Sequence, residues 1–164
     1  MVLTVITQTV WREPKEDYHT HMRLANDASR AGFVDETRRE VYLAFAAMQS
    51  ELPVSRKIAE LKPTSANYAA LAFLVYWHAR YEGVIIPELE EQMPTAAMKM
   101  QLANNIDEAA AQLAHAISLA GSLGHPGRES LTAEEATRAL GQWREQAQRL
   151  KTFSQVMQQA SVAR

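Results

Sequence analysis

TSANYAALAFLVYWHARYEGVIIPELEEQMP, residues 64–94, decides the fold. Thr64 or Ser65 suits a helix N-cap and Pro94 a stop, which predicts a helix from 65 to about 93. With Leu71 at 0° and about 100° per residue, Leu74 falls near 300°, Val75 near 40°, Ile85 near 320°, Ile86 near 60° and Leu89 near 0°. That is an apolar stripe of helical period. His78, near 340°, and Glu82, near 20°, fall in its centre, with Tyr81 at its edge and Arg80 opposite.

The same reading extends outward. Residues 14–31 predict a first helix, with Pro14 in the first turn and Gly32 closing it. Asp35 is placed to cap a second helix to about Glu51, with Val34, Val41, Phe45, Met48 and Leu52 on one face. Pro53 predicts a break, followed by a short helix from Val54 to Leu61. Beyond Pro94 a helix over 95–123 is expected. GSLGHPG, residues 121–127, reads as a loop. Ser130 or Thr132, with Glu134 or Glu135, supplies a capping-box start for a last helix to about Ala160. No strand is expected between 65 and 160. The apolar faces of Leu71, Ile85, Leu113, Ile117, Trp143 and Leu150 should be buried.

Before Pro14 the chain differs. LTVITQTVW, residues 3–11, is rich in β-branched residues and reads as an extended arm. A lone strand leaves its backbone groups unpaired and invites pairing with another chain. The expectation is an arm over 1–13 and one domain over 14–164, an all-α, antiparallel bundle of about five to six helices. A homodimer is expected, with Leu3 to Val10 in its interface, since two-fold dimers are the commonest closed assembly.

Composition narrows the function classes. Hydrophobic residues are 47% and charged residues 22%, a globular balance rather than a disordered one. The 27 alanines favour helix. The absence of Cys removes disulfides, thiolate metal sites and a Cys nucleophile. A net charge of −2 makes nucleic acid an unfavoured partner. The N-terminal stretch lacks a basic region and a small-residue cleavage site, so no secretory signal is expected. Three ionisable groups interrupt the longest apolar stretch, Tyr68 to Ile86, so no membrane span is expected, and the expected location is cytoplasmic. There is no nucleophile elbow, phosphate loop, H-E-x-x-H or dinucleotide fingerprint.

His78 and Glu82, four residues apart, form either a satisfied core pair or a bundle-core metal or haem site. As a buried core pair, loss of one partner should cost about 3–5 kcal/mol. HARYEGVIIPELEE, residues 78–91, resembles the second-helix motif of hemerythrin-like proteins. That motif has a His, a Glu four residues on, an apolar run, a Pro and acidic residues. The resemblance implies a four-helix bundle with a non-haem di-iron site, in which His78 and Glu82 take the ligand positions. It also calls for further His and acidic ligands on other helices. Pro87 stands one residue early, and Gly83 stands where a second acidic residue is usual. His21, bordering the Tyr18–Met22–Ala25 stripe, is the one other histidine placed to turn inward; His19, His115 and His125 face polar surroundings. A single axial His to haem needs fewer ligands than a closed four-ligand site.

Three functions follow, in order. The first is a non-catalytic, self-associating interaction or regulatory protein. The second is a metal- or haem-binding bundle, an oxidoreductase in its enzymatic form, with His78, Glu82 and His21 as ligands. The third is a ribbon–helix–helix-like DNA binder, suggested by a strand, 3–10, followed by two helices, although the strand carries no Lys or Arg before Arg12. The sequence identifies no cofactor, substrate or partner protein.

Overall fold

The computed structural model describes residues 17–119, 123–125 and 128–163. The arm over 1–13, the helix start at Pro14 and the turn at Gly121 and Gly127 lie outside the described residues. The chain forms α1 (Tyr18–Ala31), α2 (Val34–Leu61), α3 (Ser65–Arg80), a π turn (Tyr81–Ile85), α4 (Ile86–Leu89) and α5 (Ala96–Ser118). Two short strands follow, β1 (Leu123–His125) and β2 (Arg128–Leu131), then α6 (Ala133–Val162). From α3 through α4 the rod is continuous. The protein is an all-α helical bundle.

Local chemistry sets the helix ends. Asp17, Thr64 and Thr95 cap α1, α3 and α5 by accepting from backbone N–H groups of their first turns. Thr132 and Glu135 form a full capping box on α6. Gly32 closes α1 at φ 79°, with the Phe33 N–H bonded to the Ala28 carbonyl at 2.9 Å, a reversal that a side chain would disfavour.

Contacts between helix ends fix the antiparallel order. Ser65, at the start of α3, donates to the Leu119 carbonyl beyond α5 at 2.9 Å. Ser154, late in α6, donates to the Ala96 carbonyl at the start of α5 at 2.8 Å. Both serines are buried, and each satisfies its hydroxyl on a helix-end carbonyl. His21 of α1 bonds Glu40 of α2, and Phe45 of α2 stacks on His78 of α3.

Among the described residues the core has two parts. One joins α3, α5 and α6 and is lined by small residues: Ala69, Ala72, Ala79, Ala103, Ala109, Ala110, Ala116, Ala136 and Ala147. Alanine brings helix axes close, and Ile106, Leu113 and Trp143 fill what remains. Phe73 meets Trp143 edge-on and Tyr76 stacks on it at 4.4 Å. The other part packs Tyr18, Met22 and Ala25 of α1 against Val41, Ala44 and Met48 of α2, with Leu74 and Tyr81. Of the six apolar residues singled out above, Leu71, Leu113 and Trp143 are buried, while Ile85, Ile117 and Leu150 are half-buried.

Three expectations need correction. There is no break at Pro53, which lies inside α2. Proline in a helix interior costs about 3 kcal/mol in propensity. Met48 on one side and Ala59 on the other are buried, and that packing holds the helix through it. The rod starting at Ser65 is not uniform α-helix. Pro87 has no N–H for the Gly83 carbonyl, and its ring crowds that carbonyl. The chain widens into the π turn instead, where the Ile86 N–H bonds the Tyr81 carbonyl. Finally, a strand pair lies between 65 and 160: β1 and β2 are antiparallel, with Leu123 opposite Leu131 and His125 opposite Arg128. Of the expected loop, Leu123 to His125 belong to this ribbon.

Candidate functional site

His78 and Glu82 do come together, but at the margin of the core. His78 Nδ1 stands 3.8 Å from Glu82 Oε2, with the side chains 19% and 54% exposed. The expected centre of the stripe was displaced by the alanines. Large apolar residues placed it at Leu71, whereas Ala72 and Ala79, near 100° and 80° on the same wheel, face the close α5 contact. Glu82 is therefore half in water, and the expected loss of 3–5 kcal/mol for a buried pair is too large. Glu82→Gln should cost less than about 1 kcal/mol, as read by urea denaturation.

His78 is the better-buried partner. Its ring stacks on Phe45, centroids 4.9 Å apart and planes at 23°. Burial pushes its pKa below the ordinary 6.5; Glu82 pulls the other way and Arg56 adds to the lowering. The folded protein thus holds a neutral imidazole that the unfolded chain protonates below pH 6.5. The unfolded state binds more protons in that window. Stability from this group is present above pH 6.5 and is lost as pH falls from there to the depressed folded value. Urea midpoints measured between pH 7.5 and 5.5 should fall less steeply for His78→Gln than for the parent; an unchanged slope would show that His78 titrates alike in both states.

His21 lies elsewhere, on α1. Its Nδ1 bonds Glu40 Oε2 at 2.7 Å, with side chains 12% and 10% exposed. A carboxylate only accepts, so Nδ1 carries the proton. The other carboxylate oxygen takes the Arg39 guanidinium at 3.2 Å. Glu40 is the buried acid that the sequence reading passed over. A signal existed, since Glu40 precedes Ala44 and Met48 at four-residue steps and so shares their face. Among the described residues no group of three or more His, Asp or Glu side chains is arranged to hold a metal ion. His78 and Glu82 offer one imidazole nitrogen and one carboxylate.

A second feature was not anticipated. A groove of about 370 Å³ lies where α1 begins, lined by Asp17, Tyr18, Glu51, Val54, Ile58 and Leu74 among others. It exists because α1 has 14 residues and α2 has 28. The end of α2, beyond Glu51, extends past the start of α1, leaving its trough against α3 uncovered. Glu51 at its rim has a raised pKa, from burial first and from the nearby Asp17 carboxylate second. It makes no ion pair with a cation among the described residues.

The uncovered trough continues an apolar line along α2. Leu43, Val54, Ile58 and Leu61 fall within about 60° of one another on the helix. They are 42%, 57%, 45% and 71% exposed. Among the described residues no helix is long and apolar enough to cross a membrane. No family model, curated protein or solved structure matches this chain.

Proposed function

We propose that this chain is a non-catalytic helical protein of the cytoplasm whose role is association, first with a second copy of itself. The observation that carries the reading is the exposed apolar line on α2, from Leu43 to Leu61. Three of them, Val54, Ile58 and Leu61, lie within seven helical steps, about 11 Å, and Leu43 lies further along the same face beyond Ala47 and Ser50. A cluster of apolar side chains in water, such as Val54, Ile58 and Leu61, marks an interaction site more often than a scatter of single residues does. A two-fold axis across α2 would bury Leu43 and Leu61, the two ends of the line, against the second copy, with the arm, Leu3 to Val10, adding to the contact.

Light scattering at micromolar concentration tests it. The intact protein should have the mass of a dimer. Leu43→Glu with Leu61→Glu places two charges in the contact and should yield the monomer mass with unchanged helicity. A monomeric parent, or a double variant that stays dimeric, overturns the α2 interface. Deleting residues 1–11 reads the arm's share of the same contact.

A further inference from the structure

Sixteen residues precede Asp17, and Asp17 is itself part of the groove wall. Whatever leaves the N-terminus of α1 starts at the groove's mouth. Asp17 has ψ 166°, so the chain enters α1 from an extended residue. The groove follows α2 from Glu51 to Ile58, seven residues or about 11 Å. Five residues lie between Trp11 and Asp17, and the six steps from one to the other reach about 20 Å when extended. Trp11 can therefore lie over Val54 and Ile58 with slack to spare.

Chemistry matches reach. The floor and walls are apolar at Val54, Ile58, Ala70 and Leu74. VWREP, residues 10–14, offers two adjacent apolar side chains, one of them the largest in the amino-acid set, followed by a cation. The rim carries two carboxylates, Asp17 and Glu51, close enough for one to raise the other's pKa. Arg12 is the cation adjoining Trp11. The net contribution of charge is local, since Glu13 and Glu16 balance Arg12 and Lys15 over the whole segment.

We infer that this groove is the seat of the chain's own N-terminal segment, with Trp11 inserted between α2 and α3 and Arg12 set against the Asp17–Glu51 rim. A tethered segment this short acts on its seat at an effective concentration in the millimolar range, far above that of a second copy in solution. The inference refines the association surface proposed above. The middle of the apolar line, Val54 and Ile58, is covered from within the same chain, while Leu43, Leu61 and the residues before Val10 stay available to the second copy.

The Cys-free sequence allows a direct test in the full-length protein. Val10→Cys combined with Ser55→Cys, a lining residue, should close an intramolecular disulfide on mild oxidation. Val10→Cys with Val156→Cys, exposed on α6 and outside the groove, should close at least about tenfold more slowly, and the Trp11→Ser comparison separates docking from the proximity that the tether alone provides. Adding Trp11→Ser to the first pair should remove that advantage. Equal rates for the two pairs, or an advantage that survives Trp11→Ser, overturn the inference. So does a disulfide that forms only between copies, which would assign the groove to a neighbour's arm. Gel mobility and mass separate cross-linked monomer from cross-linked dimer. Light scattering of the reduced protein reads self-association on its own, so either idea can fail without the other.

Discussion

Leu113→Ala should lower the unfolding free energy by about 3–4 kcal/mol, in the upper part of the range for such truncations. Leu113 has no exposed surface and sits among the alanines of α5 and its neighbours. A truncated leucine leaves a cavity, and the cost depends on how far the walls can collapse. Here they cannot move far. Much of its cluster is alanine, and alanine has no flexible side chain to swing into the space. For a domain of this size the thermal midpoint should fall by roughly 10 °C. Leu113→Met keeps the volume and should cost under about 1.5 kcal/mol. A loss below about 2 kcal/mol for Leu113→Ala would show that the seam between α3, α5 and α6 is looser than its alanines imply.

The seam also explains what the sequence displayed and what it hid. Helix existence was legible because apolar period, Thr caps and Pro or Gly stops agreed along most of the chain. The capping box at Thr132 and the Gly32 terminus came out as read. Helix phase was less legible. A wheel weighted by large apolar residues points toward bulk, whereas α3 turns its alanines to its nearest neighbour. Glu82 was placed inward for that reason. Pro53 and Pro87 are the other lesson. The same residue type interrupts nothing in α2 and widens a turn after α3, and tertiary packing makes the difference.

The site divides along similar lines. His78 and Glu82 are neighbours because four residues separate them on one helix, a local fact that spacing conveys. The His21–Glu40 bond joins two helices, and its partners are 19 residues apart. Spacing alone carries no such information. The groove at Asp17 follows from a difference in helix length, and the expected stop at Pro53 concealed it. With α2 cut short at Glu51, the uncovered trough over Val54 and Ile58 would not exist.

Met48→Ala should also cost about 3 kcal/mol, and most of that loss should appear as release of α1 rather than global unfolding. Met48 is fully buried where α2 meets α1 and α3, beside Tyr18, Met22 and Ala44. α1 packs chiefly on α2, whereas α5 and α6 pack on each other and α5 on α3. Opening α1 therefore exposes one apolar face and breaks the His21–Glu40 bond while leaving the alanine seam closed. Amide hydrogen exchange separates the two cases. In Met48→Ala the amides of α1 should exchange about a hundredfold faster, the factor that about 3 kcal/mol implies, and those of α5 should keep most of their protection. In Leu113→Ala the loss should reach α3, α5 and α6 together. A loss of protection spread evenly over all helices in Met48→Ala would make the two core clusters one cooperative unit, and would remove the basis for treating α1 as a separately opening element.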